Sequence, residues 1–159
     1  YVTWNDTELG SIRKVGLDGK NSVKLSTEKG IFRTPSLSPD GKFIAYRKED
    51  GNLDQGLSYS KKSGIYSMSA NGGAGKFITE NGQFPLFTTD GNRIFYQTGG
   101  VFFGSLTKEL KSVDLNGKDE RTHIKSKYAN RLVPSPDNQW IAFMHLHKAY
   151  VAPLNMTGQ

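Results

Sequence analysis

An all-β fold is predicted, a partial β-propeller of four-stranded antiparallel blades, and three observations predict it. The first is a phrase that occurs three times. Its copies are Thr34-Pro35-Ser36-Leu37-Ser38-Pro39-Asp40-Gly41-Lys42-Phe43-Ile44-Ala45-Tyr46, Phe84-Pro85-Leu86-Phe87-Thr88-Thr89-Asp90-Gly91-Asn92-Arg93-Ile94-Phe95-Tyr96 and Leu132-Val133-Pro134-Ser135-Pro136-Asp137-Asn138-Gln139-Trp140-Ile141-Ala142-Phe143. The second is the period: Asp40, Asp90 and Asp137 are spaced by 50 and 47 residues, the length of chain that one four-stranded blade consumes. The third is composition. With 159 residues, 35% hydrophobic and 11% aromatic side chains and 18 glycines, the chain has material for a core and for many turns.

Each copy of the phrase reads as a hairpin. In Ser38-Pro39-Asp40-Gly41 proline presets φ at the second turn position, aspartate bonds its own backbone and glycine accepts positive φ. The second copy has Thr89 in place of proline and keeps Asp90-Gly91. The third keeps Pro136-Asp137 and offers Asn138, the next residue most tolerant of the left-handed region. A second strand pair follows each of the first two hairpins: Gly64 to Ser69 with Lys76 to Thr79, and Leu110 to Leu115 with a strand near Arg121 to Ile124. Asn71-Gly72 and Asn116-Gly117 sit at the hairpin-turn positions between them.

The repeat laid over the ends gives four blade parts, 1–29, 30–80, 81–128 and 129–159. Tyr1 to Trp4, Ser11 to Val15 and Val23 to Thr27 match the second, third and fourth strands of a blade, with Asp18-Gly19 as a turn. Trp140 to Met144 and Ala149 to Ala152 match a second and a third strand, and Pro153 to Gln159 supplies no fourth. Two blades are therefore expected whole and two incomplete, and the chain reads as a piece of a longer protein.

A net charge of +6 raises nucleic-acid binding as a question. The cations are scattered over turns and alternate strand positions (Arg13, Lys24, Lys42, Lys61, Lys111, Lys125), where half-exposed strands place solvated side chains, so no nucleic-acid partner is expected. No apolar run approaches the roughly 18 residues of a membrane helix, and no membrane insertion is expected. The absence of cysteine removes disulfides and thiolate metal sites.

Candidate chemistry is sparse. His145 and His147 flank Leu146; in an extended strand residues two apart share a face, so both imidazoles could meet one divalent metal. The plainer reading is a strand end turning into the next hairpin, because a metal site needs three or four ligands and His123 is the only other histidine. Gly72-Gly73-Ala74-Gly75-Lys76 resembles a phosphate loop but has Ala70 where glycine is required and Phe77 where Ser or Thr is required, so it reads as a hairpin loop. Gly56-Leu57-Ser58-Tyr59-Ser60 likewise lacks the second glycine of a nucleophile elbow. The polar stretch from Arg47 to Ser63 is the longest inter-strand loop, open to reading as a recognition loop or as an ordinary excursion. Asn5-Asp6-Thr7 and Asn155-Met156-Thr157 match the glycosylation triplet and are given no role. The aromatics Phe43, Tyr46, Tyr66, Phe77, Phe84, Phe87, Phe95, Tyr96, Trp140 and Phe143 alternate along strands and are expected to pack the core and the blade interfaces. No catalytic residue, cofactor or metal site is assigned.

The repeated Ser-Pro-Asp-Gly-Lys-x-Ile-Ala-Tyr phrase, with a Gly-Ile-Tyr strand, an Asn-Gly turn and a Phe-Ile-Thr ending, resembles the tandem repeat of TolB-type β-propellers over essentially the whole chain. The stretch from Ser126 to Asp137, with Tyr150 to Leu154 after it, looks most like propellers that precede an amidohydrolase domain. The resemblance implies a bacterial periplasmic or secreted protein. Hydrolytic metal ligands of such proteins lie in a barrel domain, so none is carried onto this chain.

The expectation is thus a non-catalytic scaffold or docking segment, with a protein partner or the remaining domains of its own parent bound through the loops at one end of the blades. Two alternatives stand beside it: a stand-alone periplasmic protein-binding module, and a metal-dependent hydrolase using His145 and His147. Incomplete blades leave open strand edges, so a homo-oligomer through those edges is also expected.

Overall fold

A computed structural model describes residues 1–52, 57, 58, 60, 62–99 and 107–158. Four antiparallel sheets follow one another along the chain. The first contains β1 (Val2–Asn5), β2 (Leu9–Lys14) and β3 (Val23–Lys24). The second contains β4 (Ile31–Leu37), β5 (Phe43–Glu49), β8 (Gly64–Ser69) and β9 (Lys76–Thr79), and a minimal pair, β6 (Gly51–Asn52) with β7 (Leu57–Ser58), is inserted between β5 and β8. The third contains β10 (Gln83–Phe87), β11 (Arg93–Thr98), β12 (Lys108–Asp114) and β13 (Arg121–Ser126). The fourth contains β14 (Ala129–Pro134), β15 (Trp140–His145) and β16 (Lys148–Pro153). Within every sheet, spatial order equals chain order, the meander of a propeller blade. No helix long and apolar enough to cross a membrane occurs among the described residues.

The blades cohere because their strands alternate with period two and bury side chains on both faces. Along β5, Ile44 and Tyr46 meet Ile12 and Leu25 of the first blade, while Ala45 points the other way to Ile94, Tyr96 and Val113 of the third. Along β11 the pattern repeats: Ile94 and Tyr96 face the second blade, and Phe95 faces Leu132, Ile141 and Leu154 of the fourth. Three apolar clusters therefore fill the three interfaces. Each fully buried Ile or Phe contributes about 1.5–3 kcal/mol, and β-branched and aromatic residues suit such pleated surfaces. The outer faces of the end blades carry exposed Trp4, Val23, Tyr150 and Val151.

The three Asp-marked reversals share one hydrogen-bond pattern. The Ser38 hydroxyl donates to Asp40 Oδ1 at 2.7 Å and accepts the Phe43 amide at 2.9 Å, while Asp40 Oδ1 accepts the Lys42 amide at 3.1 Å. Thr88 with Asp90, and Ser135 with Asp137, repeat it. Asn138 takes φ +57°, standing where the other copies have glycine. The Ser38 hydroxyl, then the Lys42 amide, holds the Asp40 carboxyl below its ordinary value; Thr88 and the Asn92 amide do so for Asp90, and Ser135 and the Gln139 amide for Asp137.

The first strand of each repeat departs from the expected regular hairpin. β4, β10 and β14 each carry a bulge, between Arg33 and Ser36, Gln83 and Leu86, and Asn130 and Val133. Thr34, Phe84 and Arg131 occupy them with φ of 45°, 53° and 53°. This corrects the assignment of Phe84 to the core: the bulge turns it outward, and it is 44% exposed. Phe43 and Trp140, each the first residue of its strand, are exposed as well, which corrects their assignment to the core.

Neighbouring blades also touch at their turns. Gly73 donates its amide to the Leu25 carbonyl at 3.0 Å, bridging β3's extension to the β8–β9 turn. Gly117 (φ +75°) backs onto the Ile78 carbonyl so closely that a Cβ there would collide with it.

Candidate functional site

Because the strands are antiparallel, the Asp-marked reversals gather at one end of the blades. The β5–β8, β11–β12 and β15–β16 connections and the links between blades gather at the other. This loop end holds the two clefts relevant to function. One, of about 450 Å³, lies between the second and third blades and is strongly polar. Glu109 accepts from the Thr98 hydroxyl at 3.2 Å and pairs with Lys111 and Lys125 at 3.6 and 3.3 Å. Glu120 pairs with Lys111 at 2.7 Å and accepts from the Tyr96 hydroxyl. Burial would raise the Glu109 carboxyl, but Lys125, Lys111 and Thr98 outweigh it and hold it low. The hydrogen bonds from Lys111 and Tyr96 depress Glu120; burial and then the Glu120 hydrogen bond raise the Tyr96 phenol. Every charge of this group is matched, which makes it a brace between strands β11, β12 and β13.

The second cleft, of about 730 Å³, opens between the third and fourth blades. Its walls include Phe84 and Arg131 from the two bulges, Gln83 and Asn130 beside them, Lys108 at the start of β12 and Met144 on β15. Gln97 spans its floor, donating through Nε2 to the Leu132 carbonyl at 2.8 Å and accepting the Leu132 amide at 3.3 Å, so the bulge of β14 is clamped to β11. In the second blade Arg47 does the same work one interface earlier: its guanidinium donates to the carbonyls of Glu80 and Gly82 at 2.9 and 3.0 Å.

His145 ends β15, with its ring edge-on to Tyr128 and Tyr150 at 6.0 and 6.1 Å. His147 is not on the strand. Leu146 and His147, with φ of 45° and 67°, form the two-residue turn that joins His145 to Lys148. The alternation that would bring both imidazoles to one face therefore does not exist, and among the described residues no group of three His, Cys, Asp or Glu is placed to hold a metal. Gly72 and Gly73 form a turn against the first blade. Of the stretch from Arg47 to Ser63, Arg47 to Glu49 belong to β5; Gly56, Tyr59 and Lys61 lie outside the described residues.

Sequence reasoning missed a buried polar chain in the third blade. Arg93, 9% exposed, donates through Nε to Ser112 Oγ at 2.9 Å and pairs with Asp119 at 2.7 Å. His123 Nδ1 lies 2.7 Å from the Asn155 carbonyl, which only accepts, so Nδ1 carries the proton and Nε2 accepts from the Ser112 hydroxyl at 2.7 Å. Burial, with Arg93 and Arg121 nearby, lowers the imidazole below its ordinary value despite the Asn155 hydrogen bond. This Ser–His contact is shut away from solvent, with Ser112 at 0% and His123 at 3% exposure, and it ties the segment after β16 to the third blade. Its only sequence signal is Arg93 at a position where Phe43 and Trp140 stand in the other repeats.

No protein-family model matches the chain, and no curated protein matches it in sequence. Solved structures do match its fold. TolB from Acinetobacter baumannii superposes with a TM-score of 0.71 at 20% identity, covering 98% of this chain and 38% of that one. A TolB-like protein from Agrobacterium tumefaciens gives 0.61 at 19% identity, covering 94% and 60%. The β-propeller domain of the Trilobed protease from Pyrococcus furiosus, described as having an open velcro topology, gives 0.52 at 19% identity, covering 72% and 33%. The chain thus spans less than two thirds of each of these proteins. Repeat, meander topology and superposition agree that its fold is a partial β-propeller resembling those of TolB type, with two blades of four strands and two of three.

Proposed function

We propose that this chain is a non-catalytic scaffold that docks a protein partner, or the remaining domains of its own parent, through the loop end of its blades. One observation carries the reading: the cleft between the third and fourth blades presents exposed Phe84, Arg131 and Met144, and Gln97 clamps the bulge that carries Arg131. Rigid scaffolds with variable loops at one end are suited to binding, and positive φ at non-glycine residues is a form of strain that gathers at functional sites. In this reading the chain is one stretch of a longer bacterial periplasmic or secreted protein, whose further blades or amidohydrolase-like domain complete it. Copies of the isolated chain associate through the open edges of the first and fourth sheets.

Cross-linking mass spectrometry of the chain with the proteins it retains from a periplasmic extract tests the reading. Cross-links concentrated on Lys108, Lys127 and Lys148, at the loop end, are expected. Cross-links concentrated on Lys42 and Lys118, at the opposite end, would contradict it. So would metal-dependent hydrolysis abolished by His145→Ala with His147→Ala.

A further inference from the structure

We propose that the cleft between the third and fourth blades receives the free C-terminal carboxylate of an extended peptide whose last side chain is apolar. The inference rests on the docking reading and names the chemistry of the partner. Arg131 and Lys108 line the cleft, and none of its described lining residues is acidic, although carboxylates crowd the polar cleft on the other side of the third blade. The cleft is thus complementary to an anion.

Geometry and hydration then narrow the anion. No hydrogen bond or ion pair holds the Arg131 guanidinium among the described residues, and the side-chain amides of Gln83 and Asn130 have none there either. Arg131 keeps φ at +53°, a conformation that disfavours residues carrying a β-carbon, and its side chain stands exposed at the bulge. A guanidinium fork binds a carboxylate through two parallel N–H···O bonds. Free carboxamides beside it match the donors and acceptors of a peptide backbone. Phe84 and Met144, 44% and 40% exposed, offer an apolar wall that a lone inorganic anion would leave wet. At about 730 Å³ the cleft lies within the range of specific small-ligand sites, roughly 300–1,000 Å³. One occupant uses all three features at once: carboxylate on Arg131, backbone amides on Gln83 and Asn130, and an apolar side chain on Phe84 and Met144.

The test is fluorescence anisotropy with a labelled hexapeptide ending in Val-Leu, prepared with a free C-terminus and as its C-terminal amide. The free acid is expected to bind at least tenfold more tightly than the amide. Arg131→Asn, whose new side chain accepts the left-handed region, should erase that difference and leave weak amide binding unchanged; Phe84→Ser should weaken both peptides. Thermal melting of each variant, expected within a few degrees of the parent, separates lost binding from lost fold. Equal affinity for acid and amide, no binding of either, or full displacement of the peptide by an equimolar small organic acid such as 3-phenylpropionate would overturn the proposal. Those outcomes leave loop-end cross-links intact if only the carboxylate assignment is wrong, whereas loss of the cross-links removes the docking reading itself.

Discussion

Lowering the pH from 7.5 to 5.5 should destabilise this fold through one residue, His123. In the folded chain its Nδ1 proton is committed to the Asn155 carbonyl and its Nε2 lone pair to the Ser112 hydroxyl, whose oxygen already accepts from Arg93. A second ring proton would turn Nε2 into a donor facing an oxygen that already receives an N–H, beside the Arg93 and Arg121 cations. Burial first, then these charges, therefore depresses the folded-state pKa below the ordinary 6.5. The sign follows from proton uptake: between the lowered folded value and 6.5 the unfolded chain binds more protons, so stability is present above this window and falls as pH drops through it. The loss between pH 7.5 and 5.5 has an upper bound of about 1.4 kcal/mol, the figure for an imidazole that stays neutral in the fold throughout. That is roughly 3–6 °C in melting temperature for a chain of this size. Urea denaturation followed by tryptophan fluorescence at pH 7.5, 6.5 and 5.5 measures it. His123→Asn should be less stable at pH 7.5 and flatter across the window. Parallel pH profiles for the parent and the variant would refute the reasoning.

Other perturbations probe the repeat and its interfaces. Gln97→Leu removes the clamp on the fourth blade and strands the amide and carbonyl of Leu132, itself 1% exposed; a loss of about 2 kcal/mol in urea denaturation is expected. Gly117→Ala combines positive φ with a collision against the Ile78 carbonyl and should cost at least about 2 kcal/mol, seen as a lower melting temperature, while Gly19→Ala, with open space around it, should cost about 1 kcal/mol. Asp90→Ala deletes the acceptor of Thr88 and of the Asn92 amide; the turn faces solvent, so about 1 kcal/mol is expected, with no rescue by Glu because the longer side chain misses both donors. Sedimentation velocity over a hundredfold concentration range should show self-association, and a monomer at every concentration would refute the edge-pairing proposal.

The scaffold was readable in the sequence because its signals are local and repeated. Ser38, Asp40 and Gly41 do in the fold what their side chains imply in isolation, and so do Thr88 with Asp90 and Ser135 with Asp137. The clefts were less readable. The bulges at Thr34, Phe84 and Arg131 take positive φ but carry no glycine or asparagine to announce it, and the clamp at Arg131, from Gln97 to Leu132, joins residues far apart in sequence. Leu146 and His147 likewise form a tight turn with positive φ and no glycine or asparagine, and that turn undid the same-face premise for His145 and His147. The Arg93–Ser112–His123–Asn155 chain joins residues far apart in sequence, whose types are individually ordinary at strand positions. Local chemistry revealed the blades; only their stacking revealed what lies between them.

Adjacent repeats pack face to face as blades, and nuclear Overhauser contacts in a uniformly labelled sample test that packing most directly. Cross-peaks are predicted between the Gly73 amide and Leu25, between the Gly91 region and Pro39, and between Thr89 and Pro136, each pair linking successive blades. Strong contacts within each hairpin with none of these between hairpins, or sequential amide–amide contacts of helical type through the Asp-marked segments, would contradict it.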